Sequence, residues 1–426
     1  MGSSDNGPAL CIENGSWAHD LRILRPLAQA YAQAAAEPCN AARCELHKAS
    51  NSLRMVRPVV MLDEIPWQQM DIDGSLACFC EDEDLRNLER WMRRSLFQHR
   101  HFPGDRFLQS FVGVGKTVHS TGIGIGVKDG TRTSGHATQI ISHEYKDQLE
   151  EEAALEMIRL PVLTYDEEDT RARWTKIGAA VGDILPVRIV GTTQCNVNSW
   201  DDISRYRGVT PILLDLIDRP EYSHAVIEKI TQCKAAELDQ REAMGLLDTE
   251  GFLLHCTPYL ADDLPKPEDG VVTRKNIWGR GTAQIFGAVS REMHAEFDIE
   301  YMKRTVGTCG LVYYGCCEPL HNKIDLLERI PNLRKIGVTA WADVNVAAEI
   351  IGGRYVVSNK PNPSSVAVSS LDEDALRREL GAVLEACKCY GVRGLDITLK
   401  DISTCCNRPE NIFRWEQIAM ELAESW

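Results

Sequence analysis

The chain has 426 residues, 44% of them hydrophobic and 26% charged, which is enough apolar material for one large or several smaller cores. Its formal net charge of −15 repels phosphate backbones and argues against nucleic acid as a partner. No apolar run reaches the ~18 residues of a membrane span, and the first ten residues lack the basic-plus-apolar pattern of a secretory leader.

In chain order, residues 1–16 are small and polar and read as a frayed end. Apolar residues then recur near every 3.6 positions (Leu21, Leu24, Leu27, Ala28, Tyr31), which predicts one or two helices and makes 1–55 a helical extension. Arg57–Trp67 reads as a short buried strand at 59–62 that ends in carboxylates and a proline, and a charged helix follows around 82–98. Further strand-like runs are Phe107–Val114, Pro186–Val190, Thr282–Phe286, Leu311–Tyr314, Lys335–Thr339, Tyr355–Ser358 and Leu395–Leu399. Between them lie helical stretches at 222–247, 291–307, 320–330, 343–352 and 371–390, the last opened by a capping-box pattern from Ser370 to Glu373. Eight Val- and Ile-rich strands separated by helices predict an α/β protein. A parallel sheet closed into a (β/α)8 TIM barrel over 56–426 is favoured over an open doubly wound sheet. Two stretches break the repeat and read as insertions with hairpins, near 115–150 and 252–281.

The 15 cysteines are an odd number spread along the chain, and adjacent ones are poor disulfide partners, so reduced thiols in a cytoplasm, as in an anaerobe, are expected. Tyr313-Tyr-Gly-Cys-Cys-Glu-Pro-Leu-His321 lies where a predicted strand gives way to a helix. In a barrel such ends form the active-site rim, and Cys316 and Cys317 there are soft ligands suited to zinc. A second pair, Cys405-Cys406, follows the last predicted strand within Asp396–Asn411, and rims of separate strands open onto one cavity. His255-Cys256 in the later insertion could add a ligand, although a lone histidine is more often structural. Glu64, Gln284, Lys360 and Asn362 stand near other predicted strand ends; turn and cap roles compete with substrate binding for them. Gly113-Val-Gly-Lys-Thr117 is not a phosphate loop, because Ser110 stands where the pattern needs a glycine and no helix follows. Cys78-Phe-Cys80 has the wrong spacing for a redox pair.

These segments resemble the uroporphyrinogen decarboxylase superfamily. Gln284-Ile-Phe286 with Ser290 resembles its fourth-strand motif, Tyr-Gly-Cys-Cys its fifth, Arg354–Pro363 its seventh, and Asp396–Asn411 its eighth-strand end; Arg57-Pro58 is similar to the start of the first strand. The decarboxylases carry an arginine-rich first-strand loop and a Gly-His-Gly, neither of which is present, so the resemblance is to the zinc-dependent, corrinoid-linked methyltransferase branch. It implies a Zn2+ ion on Cys316 and Cys405, with Tyr314 in place of a usual histidine and Cys317, Glu318 or His255 supplying the missing ligand. With the rim positions of Glu64, Gln284, Lys360 and Asn362, the expected catalytic residues are Glu64, Gln284 and Tyr314 and the expected substrate-binding ones Glu318, Lys360 and Asn362. The activity implied is methyl transfer between a small donor or acceptor, such as a methoxylated aromatic, and a corrinoid (cobalamin) carried by a partner protein, as in the demethylating component of an O-demethylase. A metal-free lyase and a non-catalytic corrinoid-protein-binding factor are the competing readings. The sequence leaves the oligomeric state open, a homodimer included.

Overall fold

Short runs of β-branched and leucine residues pair into one parallel sheet in a computed structural model that describes residues 15–133 and 141–426. Its seven strands are Val59–Leu62, Gln194–Val197, Trp278–Gly281, Leu311–Tyr314, Leu333–Thr339, Val356–Lys360 and Leu395–Leu399. From Gln194–Val197 to Leu395–Leu399 each strand lies beside its neighbour in sequence, and Val59–Leu62 then pairs with the last, Val59 opposite Asp396. Strand order therefore follows chain order, without the reversal of a doubly wound sheet. Val112–Gly115 pairs in parallel with Val187–Val190, just before Gln194–Val197, and the Asp105 N–H donates to the Val60 carbonyl at 2.8 Å. Among the described residues no ladder joins Val59–Leu62 to Val112–Gly115, so the hydrogen-bonded sheet stays open there.

Alternation along the strands gives the sheet two unlike faces. Val60, Leu62, Val312, Ile336, Val338, Val357, Leu395, Ile397 and Leu399 are buried in the main apolar cluster, with residues of the Val344–Ile351, Glu373–Cys389 and Pro409–Glu424 helices. The intervening residues Lys335, Ser358, Lys360, Asp396, Thr398 and Lys400 are polar and also buried. They meet the insertion expected at 252–281, where Leu253–Leu254 and Thr257–Pro258 form a two-stranded hairpin with His255-Cys256 as its turn. Leu254 and Tyr259 of this insertion pack on Trp278, Leu311 and Tyr313 of the sheet. The Thr257 hydroxyl contacts both Asp396 oxygens at 3.0 Å and accepts from Lys335 Nζ at 2.9 Å. Asp396 also lies 3.1 Å from Lys335 Nζ and 3.6 Å from Lys360 Nζ. Burying two ammoniums is tolerable only because this carboxylate and these hydroxyls sit between them.

The N-terminal extension forms the Gly15–Ala35 and Pro38–Asn51 helices. Leu24, Ala28 and Tyr31 of the first pack on Leu85, Leu88 and Met92 of the Glu83–His101 helix. The second is tied to the sheet by the Ser50 hydroxyl, which donates to the Leu395 carbonyl. The stretch near 115–150 carries antiparallel pairs, Thr117–Ser120 with Leu163–Asp166 and Asp129–Thr133 with Ile141–Tyr145.

Five sequence expectations are corrected. The strand expected at Phe107–Val114 is confined to Val112–Gly115, and the helix expected over 320–330 to Ile324–Leu327. The strand expected at Thr282–Phe286 is Trp278–Gly281, and Gln284–Ala288 is a 3-10 turn. The helix expected over 291–307 contains a π-turn at Ala295–Ile299 and ends as a helix at Met302. Asp372, not Ser370, caps the Glu373–Cys389 helix, its carboxylate accepting from Ala375 N–H; from directly before the helix it reaches the third-residue amide. No described helix is long and apolar enough to cross a membrane.

Candidate functional site

Because the sheet is parallel, all its strands end on one side, and most of the chemistry-bearing residues collect there. Cys316 and Cys317 follow Leu311–Tyr314, Lys360 closes Val356–Lys360, Lys400 and Asp401 follow Leu395–Leu399, and Glu64 follows Val59–Leu62. The hairpin turn brings His255 and Cys256 to the same end.

Cys316 is buried, 3% exposed, with its Sγ 3.7 Å from Cys317 Sγ and 3.7 Å from His255 Nε2. Lys400 Nζ lies 3.3 Å from each of these sulfurs and donates to Asp401 Oδ2 at 2.6 Å. The hydrogen bond shared with Cys317 holds the Cys316 thiol far below its ordinary pKa against the cost of burial, with His255, Lys400 and Arg280 adding to the effect. Sharing that bond with a thiolate, together with burial, pushes Cys317 the other way. Cys317 Sγ in turn lies 3.4 Å from Asp401 Oδ2. Arg280, 6% exposed, has Nε and Nη2 without a hydrogen-bond partner among the described residues and adds positive potential near Cys316.

Glu64, His255 and Cys256 place an oxygen, a nitrogen and a sulfur within 4.8 Å of one another. Glu64 and Cys256 have left-handed backbone conformations (φ 50° and 56°), as does Asp401 (57°). Such torsions are costly for residues other than glycine and cluster at functional sites. Glu64 Oε2 accepts the Asp401 N–H at 3.0 Å; burial, then a hydrogen bond shared with the Asp401 carboxylate and the charge of that carboxylate, raise its carboxyl pKa. These three donors are of the S, N and O types preferred by zinc, and Cys316 Sγ stands beside them, 3.7 Å from His255 Nε2, without belonging to the same group. Two thiolates, one carboxylate and Zn2+ would sum to −1, which the Lys400 ammonium would neutralise.

A cavity of about 290 Å³ opens beside this cluster, walled by Cys316, Cys317, Thr339, Trp341, Lys360, Asn362, Lys400 and Asp401 among others. Lys360 and Asn362 thus line it as expected, though the Lys360 ammonium is already engaged with the Cys256 carbonyl and with Ser358 Oγ. Asn362 also caps the Pro363–Ser365 turn, its Oδ1 accepting from Ser364 N–H at 3.0 Å.

Four expected site residues sit elsewhere or play another part. Cys405, fully buried, belongs to the apolar cluster, and its N–H and Sγ lie 2.8 and 3.1 Å from Gln69 Oε1. Among the described residues neither Cys405 nor Cys316 belongs to the group formed by Glu64, His255 and Cys256, but Cys316 Sγ lies 3.7 Å from His255 Nε2 whereas Cys405 Sγ is turned to Gln69. Tyr314 is on the helix-facing side of the sheet, its hydroxyl donating to Asp298 Oδ2 at 2.6 Å and lying 2.8 Å from His294 Nε2. Gln284 is exposed in the 3-10 turn, its N–H directed to Asp201 at 3.2 Å. Glu318, fully buried, accepts from Thr282 Oγ1 at 2.8 Å and from the Cys316 N–H at 3.0 Å. It positions Cys316 from behind, and burial pushes its carboxyl pKa up to about 7.

Sequence reasoning passed over Lys400, Asp401 and Arg280. The signal for the first two was present, since Lys400-Asp401 directly follows the last strand, where the rim begins.

No protein-family model matches the chain, and no curated protein is similar to it. Among solved structures, a methyltransferase from Methanosarcina mazei is similar over 88% of this chain and 98% of its own, with a TM-score of 0.48 and 13% identity. A likeness at that level assigns neither activity nor substrate to this chain.

Proposed function

We propose that this protein is a methyltransferase that moves a methyl group between a small substrate and a corrinoid protein, with zinc held by Cys316 and His255 and completed by Cys256 and Glu64. The observation that carries the reading is the group of Glu64, His255 and Cys256 at a parallel-sheet end, with the buried Cys316 thiol 3.7 Å from His255 Nε2. The motif resemblance from residue 282 onward supplies the reaction class. The Asp105–Val60 bond and the Val112–Gly115 and Val187–Val190 pair support closure of the sheet into a barrel around this site.

Zinc, when bound, supplies Lewis acidity toward an ether oxygen, or lowers the pKa of a thiol acceptor. The chain's own groups do the rest. Lys400 offsets the negative charge on the sulfurs, Glu318 fixes the Cys316 backbone, and the cavity beside Lys360 and Asn362 orients the substrate. Trp341, 65% exposed at the cavity rim, offers an aromatic contact for a large docking partner.

The test is to mix the protein with a reduced corrinoid protein and methoxylated aromatics, methylamines or methylated thiols, and to follow the cobalt absorbance. Formation of methyl-cobalt with one donor class, abolished by Cys316→Ala, is expected. Absence of transfer with every donor and acceptor, by protein carrying stoichiometric zinc, contradicts the reading.

One observation favours a second reading. Lys400 already places a cation 3.3 Å from both sulfurs, as a metal-free lyase with a thiolate at its centre would need. Metal analysis of freshly purified protein separates the two, since full activity without metal requires the lyase.

A further inference from the structure

We propose that the cleft between the Glu83–His101 helix and the end of the Val59–Leu62 strand binds the oxyanion group of a small ligand, a carboxylate or a phosphate, through Arg90, Arg94 and Arg106. The cleft holds about 360 Å³, enough for a small molecule. Asn87, Arg90, Trp91, Arg94, Ser95 and Gln98 recur along one helical face and line it, and Arg106 enters from the segment that follows.

In a chain with 62 acidic and 47 basic residues, carboxylate partners are plentiful. Yet each of these guanidiniums is steadied by a neutral group. Arg94 lies 4.9 Å over the Trp67 ring, Arg106 4.8 Å over Phe252, and Arg90 donates to Asn87 Oδ1 at 2.7 Å. Arg93, turned away from the cleft on the same helix, pairs with Glu89 at 2.8 Å. The two carboxylates in the cleft wall are occupied at its edge: Asp63 Oδ1 accepts the Glu64 N–H and Glu64 Oε2 the Asp401 N–H. Neither forms an ion pair with the three arginines among the described residues. Planar, preoriented guanidiniums without anionic partners, beside indole walls, are what a carboxylate or phosphate on a flat apolar body requires. Burial lowers the pKa of Arg106, although the charges of Asp63 and Glu416 nearby act against it, and burial with the charge of Arg90 lowers that of Arg94. Glu64 belongs both to this wall and to the donor cluster with His255, so an anion-bearing ligand in the cleft would abut the proposed metal site. The pocket itself needs no metal.

Trp67 and Trp91 line the cleft, so their fluorescence reports its occupancy. The wild-type protein is titrated with inorganic phosphate, with benzoate and with neutral benzamide, and the titrations are repeated after chelation and in Cys316→Ala. Saturable binding of an oxyanion but not of benzamide is expected, weakened at least about tenfold per guanidinium lost in Arg94→Gln/Arg106→Gln. Arg90→Gln, whose side chain makes a local bond to Asn87, gives the same readout if the double variant does not fold. Preference for phosphate assigns a phosphorylated ligand, and preference for benzoate a carboxylic acid. Persistence of binding after chelation separates this result from the zinc reading. Benzamide binding as well as benzoate, or oxyanion binding unchanged in the arginine variants, overturns the proposal.

Discussion

Cys316-Cys317 and Cys405-Cys406 are the same dipeptide near the ends of two strands, yet the fold treats them oppositely. Cys316 follows its strand after a single glycine and faces a histidine, a lysine and a second sulfur. Cys405 is six residues beyond Leu399, and the intervening loop carries it against Gln69 in the apolar cluster. The last strand does reach the site, but it delivers Lys400 and Asp401 instead of a sulfur. Proximity to a strand end, more than residue type, decides which cysteine has chemistry, because the pleat fixes side-chain direction for only a residue or two past the last ladder bond.

The largest expected contrast is in turnover. Cys316→Ser should lower methyl transfer by roughly 10³-fold or more, since a Lewis-acid contribution is worth several kcal/mol, while Cys405→Ser should leave it within a few-fold. Equal losses in steady-state rate would erase the distinction between the pairs. Lys400→Met should cost roughly 10- to 100-fold in rate, as expected for a group whose main part is to tune the sulfur ligands; an unchanged rate would remove Lys400 from the cluster.

Stability should show the reverse order. Asp396→Asn leaves Lys335 and Lys360 without their shared carboxylate and should cost about 3–5 kcal/mol in urea unfolding. Cys405→Ala should cost on the order of 1 kcal/mol through the small void it leaves, with no effect on bound metal. A pH series sharpens this background. Burial raises the Glu416 carboxyl to about 8 in the folded protein, above its unfolded value near 4.5. Its contribution is therefore fully present below the unfolded pKa and is lost as pH rises through about 8. Glu416→Gln should flatten the fall of stability between those values, and an unaltered pH profile would show that the carboxyl is not buried as described.

Much of the sheet was legible because its strands are dense in Val, Ile and Leu. Gln194–Val197 escaped notice because three of its four residues are not typical strand formers. Trp278-Gly-Arg-Gly281 was missed for a related reason: its glycines carry no pattern. They are required by packing, since a Cβ on Gly281 would lie 2.9 Å from the Tyr314 ring and one on Gly279 2.6 Å from the Val306 carbonyl. With that strand displaced, Gln284 was read as a strand-end residue when it belongs to the turn beyond. At the site, Cys316, His255 and Glu64 were legible from position. Tyr314 was not, because alternation sends it to the helix face. Cys405 was not, because no local rule fixes where a six-residue loop returns.

Zinc content of purified Cys316→Ala and Cys405→Ala proteins, with X-ray absorption at the zinc edge to identify the ligand atoms, tests the central claim most directly. The account predicts loss of zinc from Cys316→Ala, and in Cys405→Ala one equivalent of zinc with an unchanged mixed sulfur and nitrogen or oxygen shell. Zinc retained without Cys316, or lost with Cys405, would contradict it.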